Sequence, residues 1–293
     1  QRIAIGTRVV LWDEPGGYSA YSDRLHFAPP TNGSKTPEDG RLRYEGGRAT
    51  KGERPVQLVE PGSMDLNELR AAVDLFVVHY DVAGTAARCF LILQDRRCLS
   101  VHFLLDVDGT IYQTLDLRER AWHAGTANTR SVGVEIANIG SRRVDDAKGM
   151  AEIDRWYTRD GSGLRYTPPN WVDLGTVRTP GFVGYAARDE RLEGWIQGEL
   201  RAQYDFTPQQ YVSLVKLAAG LCRALPRIRP DAPRDASGRV LDSVMDPEEL
   251  AGFGGIVGHH HVSRNKQDPG PAFAWEAFLE DVRGELGLPR ASN

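Results

Sequence analysis

The sequence predicts an α/β fold, and three patterns in its 293 residues indicate it. A short continuous apolar run at residues 75–80 is typical of a strand that is buried on both faces of a sheet. Two strand-like segments, 101–105 and 110–115, flank an Asp-Gly pair, which is a strong hairpin signal because a tight turn needs a positive φ. Apolar residues at helical spacing follow Thr207. The chain is therefore expected to pack helices on a sheet.

Residues 1–60 are predicted to form an N-terminal extension that packs on the core of a single domain, residues 61–293. The extension starts with a strand-like run at 3–12 and then becomes rich in glycine, proline, serine and charge. A helix comes next, because Asp65 stands three residues before Glu68 in a capping-box arrangement. This helix leads into the buried strand.

A second helix, the hairpin and a further strand follow. Thr85 can cap a helix that extends to about Arg96. The strand at 131–137 has its apolar side chains on one face, while Glu135 shares the other face with small residues. Glu135 therefore projects from the sheet without a bulky neighbour on its own strand.

The segment at about 140–204 is interpreted as an insertion that walls a groove. It carries many charges and aromatic side chains with little clear periodicity, and it is too long for an ordinary connection. A capped helix is predicted after it at 207–222, a short helix begins at Asp246, and a closing helix covers 273–282.

Composition excludes several classes of function. The chain has 36 Lys+Arg against 40 Asp+Glu, a net charge of -4, and no basic run interleaved with aromatics, so no nucleic-acid partner is expected. Its apolar stretches are far shorter than the roughly 20 residues that a membrane span needs. Cys89 and Cys98 are close enough in sequence for a local bridge, and three reduced thiols, including Cys222, are the alternative. Nothing in the sequence sets the oligomeric state.

The histidines are the first candidates for chemistry. Six of the seven fall in four places: His79 at a strand end, His102 in the hairpin, His123, and the run 259–261. Zinc hydrolases hold the metal with three rigid protein ligands and leave one position open for water. A lone histidine on an apolar strand is more often hydrogen-bonded in a core, so the context of each one decides.

That context is the glycine- and proline-bounded loop 258–271, in which Lys266 and Asp268 follow the histidine run. Together with His79 and Glu135, this loop resembles the zinc-dependent N-acetylmuramoyl-L-alanine amidase and peptidoglycan recognition protein superfamily, in its muropeptide-amidase-like branch. The resemblance extends in order over roughly residues 62–285. The matching motifs are the strand ending in His79, Ser100–Phe103, Asp108–Gln113, Ala121–Gly125, Gly133–Glu135 and Lys266–Pro271.

The resemblance implies a mixed central β-sheet flanked by helices, with a zinc-floored groove where the amide between N-acetylmuramic acid and L-alanine is hydrolysed. The implied Zn²⁺ ligands are His79, His259 and Asp268. His259 is selected because the family's second histidine directly follows a glycine. His261 remains the rival because it lies two residues nearer to Asp268, and His260 is least favoured because it points the opposite way in an extended loop.

The resemblance also implies the catalytic groups. Glu135 matches the acidic residue that accepts a proton from water and returns it to the leaving amine. Lys266 matches the cation that stabilises the oxyanion. Asp81 is expected to orient His79 through its free ring nitrogen. Asp268 stands where recognition proteins and phage enzymes usually carry cysteine, which favours the muropeptide-amidase branch.

The hairpin and the loop before the Glu135 strand are implied to line the groove and to contact sugar or stem peptide. Packing and loop support are the alternative, and one of the two imidazoles could instead support a ligand histidine. The residues concerned are His102, Trp122, His123, Thr126 and Asn128.

Two other functions remain open at this point. One is a non-catalytic peptidoglycan-binding protein, which need not keep Glu135 and Lys266. The other is a structural envelope protein whose zinc staples loops, for which a closed site of four ligands is expected. The expected partner is peptidoglycan or a muropeptide. The expected compartment is the cell envelope, the periplasm or the exterior, with cytoplasmic muropeptide recycling as the alternative.

Overall fold

The computed structural model describes residues 2–23, 25–27, 42–46, 48 and 64–289. The strands are β1 Val9–Leu11, β2 Tyr44–Glu45, β3 Leu75–Tyr80, β4 Phe103–Leu105, β5 Ile111–Gln113, β6 Arg120–Ala121, β7 Ser131–Ile136, β8 Arg142–Arg143, β9 Tyr157–Asp160, β10 Gly163–Tyr166, β11 Arg191–Ile196, β12 Glu199–Tyr204 and β13 Gly255–Gly258. The α-helices are α1 Leu66–Ala72, α2 Ala86–Phe90, α3 Ala147–Asp154, α4 Pro208–Ala224, α5 Pro247–Gly252, α6 His259–Val262 and α7 Trp275–Glu285. A π-helix, Leu91–Arg97, continues α2, and Gly125–Arg130 and Leu174–Thr176 are 3₁₀-helices.

A six-stranded mixed sheet forms the centre, in the order β1-β5-β4-β7-β3-β13. The predicted hairpin is the antiparallel pair β4–β5, and every other neighbouring pair is parallel. One face packs on α1, α4 and α7, while α2 covers part of the other. The predicted α/β class with a mixed sheet flanked by helices is therefore confirmed. Among the described helices, none combines the length and apolarity that crossing a bilayer requires.

Strand β3 is buried on both faces, as its continuous apolar run indicates. Phe76 and Val78 join the core beneath α4 and α7. Leu75 and Val77 join a second cluster on the opposite face. Because side chains alternate along a strand, His79 emerges on the side of Leu75 and Val77, away from α4.

The described part of the N-terminal extension is joined to the domain by strand pairing. Strand β1 lies parallel to β5 at one edge of the main sheet. It is shorter than the run 3–12 from which a strand was predicted. Strand β2 pairs antiparallel with β6. Most of the glycine- and proline-rich part of the extension, residues 28–41 and 49–60, lies outside the described residues.

The segment 140–204 contains a helix and two hairpins, β9–β10 and β11–β12, packed around a small core of their own. This core includes Trp156 and Tyr166, and it also takes in Val107 and Ala137, which follow strands β4 and β7. The insertion therefore stands at the carboxyl edge of the central sheet. Most exposed positions of its short strands β9 and β11 carry charged side chains. These strands therefore bury few apolar residues, which explains the weak apolar periodicity of the sequence.

Three helix starts follow the predicted caps, and the first is the complete capping box that Asp65 forms with Glu68. The Thr85 hydroxyl accepts from the Arg88 amide, and Thr207 forms a complete capping box with Gln210. The three cysteines are buried and free, so the Cys89–Cys98 bridge is not formed.

Candidate metal centre

Three buried side chains converge at the carboxyl edge of the central sheet. The Nδ1 atoms of His79 and His259 lie 3.0 Å apart. Asp268 Oδ2 lies 2.7 Å from the first and 3.0 Å from the second. The exposed fractions of these residues are 1% for His79, 6% for His259 and 7% for Asp268. In the part of the chain that the structure describes, they form the one group of three or more His, Cys, Asp or Glu side chains with metal-binding spacing.

Strand register brings the two histidines together. Strands β3 and β13 are parallel, and Val78 pairs with Gly258. The residues that come next in the chain, His79 near the end of β3 and His259 directly after β13, therefore lie at the same edge of the sheet. Asp268 returns to this edge at the end of the loop, where its carbonyl accepts from the backbone amide of His260 at 3.1 Å.

The donor set fits zinc. Two imidazole nitrogens and one carboxylate oxygen form a common ligand set of zinc hydrolases. A tetrahedral ion with bonds of about 2.0–2.1 Å separates its ligands by about 3.3 Å, so the three atoms need only a small outward shift. Burial and then the nearby His259 lower the pKa of His79 to about 4. Burial raises the pKa of Asp268, but hydrogen bonds from His259 and His79 outweigh it and hold this pKa well below its usual range. Near pH 7 His79 is therefore neutral and Asp268 ionised, the forms that bind metal.

The histidine run lies on a helical turn rather than in the expected extended loop. Successive residues of a helical turn point in different directions, so only one of the three reaches the cluster. The ring of His261 accepts from the Gly258 amide at 2.9 Å, and its Nε2 lies 2.7 Å from the Leu241 carbonyl. His260 Nδ1 lies 3.0 Å from the carbonyl of Asp268. His259 is thus the member that faces His79.

The second ring nitrogen of His79 contacts His123. Its Nε2 lies 3.0 Å from His123 Nδ1, and His123 Nε2 lies 3.2 Å from Ser131 Oγ. Gly133 makes room for this ring, because a Cβ there would come within 2.5 Å of it. His123 therefore supports His79, in line with one of the alternatives that the sequence left open.

The prediction that Asp81 orients His79 is wrong. Its Oδ1 accepts from the backbone amides of Ala83, Gly84 and Asn138, which turn the chain away from the end of β3. Its Oδ2 is buried without a hydrogen-bond partner.

Glu135 lies in register beside His79, on the adjacent strand. Its Oε2 is buried and has no hydrogen-bond partner, which is unusual for a polar atom unless a water molecule or ion completes the site. Burial and then the carboxylates of Asp268 and Asp81 raise the pKa of Glu135 well above its usual range. Lys266 opposes this shift, so its charge lies close enough to act on Glu135.

Lys266 is half-buried on the loop between His259 and Asp268. Its charge also acts on His79. It forms no ion pair with any residue that the structure describes. The ammonium group is therefore available to a ligand.

Two of the predicted groove residues are buried supports. His102 is fully buried, accepts from the Gly133 amide at 3.2 Å and lies 3.1 Å from the Glu119 carbonyl, so the prediction that it lines the groove is wrong. Burial lowers its pKa to about 3. Asn128 Oδ1 accepts from the amides of His123 and Ala124 and holds their loop. His102 thus packs within the domain and Asn128 supports the loop, while contact of Asn128 with substrate stays a prediction.

Trp122 is partly buried and Thr126 is exposed on the same loop. Their contact with substrate stays a prediction.

Sequence reasoning missed Gln197, at the tip of the β11–β12 hairpin. Its side-chain amide donates to the carbonyls of His260 at 2.8 Å and Ser263 at 3.2 Å, and lies 3.4 Å from that of Lys266. Its backbone has a φ of 55°. The Gln-Gly pair between two strand-like runs is a hairpin signal that could have located the turn, but not what the turn touches. The insertion thus holds the loop that carries His259 and Lys266.

Comparison with known proteins places these features in a family. A solved complex of the amidase AmiD from E. coli with anhydro-N-acetylmuramic acid-L-Ala-D-gamma-Glu-L-Lys is 18% identical, with a TM-score of 0.38; the match covers 80% of this chain and 65% of that one, just under two thirds. A selenomethionine AmpD derivative is also 18% identical over 73% of this chain and 86% of that one, with a TM-score of 0.35. The endolysin amidase LysCS from Clostridium intestinale is 14% identical over 75% and 88%, with a TM-score of 0.35.

No curated protein sequence matches the chain. The family model described as N-acetylmuramoyl-L-alanine amidase matches residues 69–271, more than half of the chain. This range includes the three clustered side chains, Glu135 and Lys266. The chain therefore belongs to the N-acetylmuramoyl-L-alanine amidase family, as its motifs predict.

Proposed function

We propose that this chain is a zinc-dependent N-acetylmuramoyl-L-alanine amidase that cleaves the bond between N-acetylmuramic acid and L-alanine in peptidoglycan or muropeptides. The observation that carries the proposal is the buried convergence of His79, His259 and Asp268 beside Glu135. Membership of the amidase family indicates which bond is cleaved. Zinc, when bound by the three side chains, supplies a Lewis acid that polarises a carbonyl and lowers the pKa of water.

Glu135 suits the role of proton carrier. Burial and the neighbouring carboxylates raise the pKa of Glu135, which makes it a stronger base than an ordinary carboxylate. The unpartnered Oε2 is free to accept a proton from the attacking water and to return it to the leaving amine nitrogen. This transfer needs no other titratable side chain.

Lys266 suits the role of oxyanion stabiliser. As the amide carbon becomes tetrahedral, its oxygen gains negative charge, and a preorganised cation in a partly dry site stabilises that charge. The ammonium group has no carboxylate to neutralise it among the described residues, while Gln197 holds the Lys266 backbone.

The two alternative functions are less favoured. A zinc staple is normally closed by four protein ligands. Of the described side chains, only three converge, since the ring nitrogens of His261 face Gly258 and Leu241. A pure binder has no need for a buried, unpartnered carboxylate oxygen beside a ligand set.

Digestion of purified peptidoglycan tests the proposal. Wild-type protein, chelator-treated protein and the variant Glu135→Gln are incubated with it, and the products are analysed by mass spectrometry. Release of stem peptides that begin at L-Ala by wild type alone supports the proposal. Equal release by Glu135→Gln contradicts the role of Glu135, and retained binding without any release favours the non-catalytic binder. Loss of the folded state on chelation would favour the zinc staple.

A further inference from the structure

The insertion presents an exposed tryptophan at the carboxyl edge of the sheet. Trp171 lies between β10 and the 3₁₀-helix Leu174–Thr176, with 54% of its surface exposed. An aromatic ring that its neighbours already hold in place can stack on a ligand with a smaller loss of side-chain freedom than a ring without such contacts.

Two contacts fix the Trp171 ring. The buried Trp156 meets it edge to face, with ring centroids 5.3 Å apart and planes at 77°. The guanidinium of Arg88 lies over the ring, 4.3 Å from its centroid. Although Arg88 lies over one face of the indole, 54% of the Trp171 surface remains exposed, so a large part of the ring is open to a ligand. The result is an exposed aromatic platform held by two contacts.

The platform is connected to the turn that follows the strand carrying His79. Trp156 packs on Gly84, where a Cβ would come within 2.4 Å of the ring, and the Tyr166 hydroxyl donates to the Gly84 carbonyl at 2.8 Å. Gly84 lies five residues after His79, in the turn between β3 and α2. Helix α2, which carries Arg88, packs on the same sheet face from which His79 and Glu135 project.

The chemistry of the platform matches a sugar ring. A pyranose has an apolar C–H face, which stacks on a flat aromatic surface, and a rim of hydroxyl and acetamide oxygens. No carboxylate of the described residues pairs with the Arg88 guanidinium, so its edge donors can bind oxygens on that rim. A stem peptide presents no comparable flat apolar face.

We propose that Trp171, seated on Arg88, is a stacking subsite for a pyranose ring of the glycan strand, so that the preferred substrate is polymeric peptidoglycan rather than a released muropeptide. This inference rests on the proposed amidase function for the identity of the polymer. A subsite outside the reacting centre binds sugar residues that a short muropeptide lacks. Its loss therefore affects binding of the polymer and leaves the chemical step unchanged.

Binding to peptide-free glycan tests the subsite without catalysis. The probe is the polymer of N-acetylglucosamine and N-acetylmuramic acid after removal of its stem peptides, titrated into metal-free protein by calorimetry. We expect Trp171→Ala to bind roughly tenfold more weakly, the effect of losing one stacking face, and Trp171→Phe to retain most of the affinity. Trp195→Ala is the matched control, since Trp195 lies on the same insertion and is 57% exposed. Among the described residues, no ring or guanidinium contact fixes Trp195.

Equal affinity of Trp171→Ala and wild type would overturn the inference, as would an equal loss in Trp195→Ala. Thermal unfolding of each variant shows whether the fold is intact. Trp171→Phe keeps an aromatic ring beside Trp156, so its comparison with Trp171→Ala separates loss of the stacking ring from a disturbed Trp156. No binding of wild type to peptide-free glycan would also overturn it.

Kinetics on two substrates separate this inference from the proposed function. On intact peptidoglycan, Trp171→Ala is expected to raise KM with kcat unchanged, while turnover of a soluble muropeptide stays at the wild-type value. If wild type releases no stem peptides but binds glycan through Trp171, the amidase function fails and the subsite stands. If wild type releases stem peptides and glycan binding is independent of Trp171, the subsite fails and the amidase function stands.

Discussion

His79 Nε2 lies 3.0 Å from His123 Nδ1, so an imidazole occupies the position that a carboxylate or carbonyl usually takes beside a metal-binding histidine. When a metal takes the Nδ1 atom of His79, the ring proton is on Nε2, and this Nε2–H can donate to His123 Nδ1. His123 then carries its own proton on Nε2, which faces Ser131 Oγ at 3.2 Å. This relay would hold the ring plane of His79 for metal binding.

Replacement of His123 is expected to weaken metal binding. His123→Ala removes the acceptor that orients His79, and loss of such a partner lowers metal affinity by roughly 10- to 100-fold. Zinc affinity is measured by competition with a chromogenic chelator. His123→Asn, which keeps an acceptor, should lose less, and Thr126→Ala on the same loop serves as the control. An unchanged affinity in His123→Ala would show that packing alone orients His79.

Removal of the proton acceptor is expected to affect turnover and not metal content. Glu135→Gln keeps the shape of the side chain but cannot accept a proton, and we expect kcat to fall by roughly 10²- to 10⁴-fold. Stem-peptide release gives kcat, and atomic absorption gives the zinc content. A variant that loses both would indicate that Glu135 supports the ligands instead of the chemistry.

Removal of the Lys266 charge is expected to lower kcat by roughly 10²- to 10³-fold, the effect of losing one oxyanion donor. Lys266→Met keeps the length of the side chain. Arg264→Met is the matched control, because Arg264 is a cation on the same loop but is exposed. Steady-state kinetics on a soluble muropeptide compare the two variants, and equal losses would point to a general effect of loop charge.

Loss of the Gln197 amide is expected to loosen the loop that carries His259 and Lys266. Gln197→Met has a similar length but cannot donate to the carbonyls of His260 and Ser263, which removes hydrogen bonds worth about 1 kcal/mol each. Hydrogen exchange should become faster over 260–266 and stay unchanged in the central strands. Protection equal to wild type would mean that the loop is held by its own contacts.

Asp106 is expected to make the stability of the metal-free protein depend on pH. Burial, with Asp108 and Asp81 adding to it, raises the pKa of Asp106 from 3.8 to about 7. The folded state thus holds the proton more tightly than the unfolded state, so stability is full below about pH 4 and falls as pH rises towards 7. The loss is at most about 1.4 kcal/mol per pH unit for one group.

Urea unfolding between pH 4 and 8 measures this dependence. In the variant Asp106→Asn, the free energy of unfolding should vary less with pH than in wild type. Its largest gain in this free energy over wild type is expected near neutral pH. The remaining slope reports the other buried carboxyls, including Asp81, whose pKa is also raised to about 7 by burial. A profile identical to that of wild type would mean that water reaches the Asp106 carboxylate.

Local patterns in the sequence determined much of this protein. The apolar run before His79, the alternation around Glu135, the Asp-Gly hairpin and the Thr207 cap each depend on neighbours within a few residues, and the structure shows each of them. The ordered motifs also identified the family and the three clustered side chains.

The tertiary structure alone decided which side chains meet across long separations in the chain. Asp81 was the nearest carboxylate in sequence to His79, yet the register of β3 and β7 and the space left by Gly133 place His123 there instead. The contact between Gln197 and the loop after His259 depends on where a hairpin tip lands, 63 residues away for its His260 contact. Periodicity and capping report only local conformation, whereas these contacts follow from strand order and packing, which no short stretch of sequence specifies.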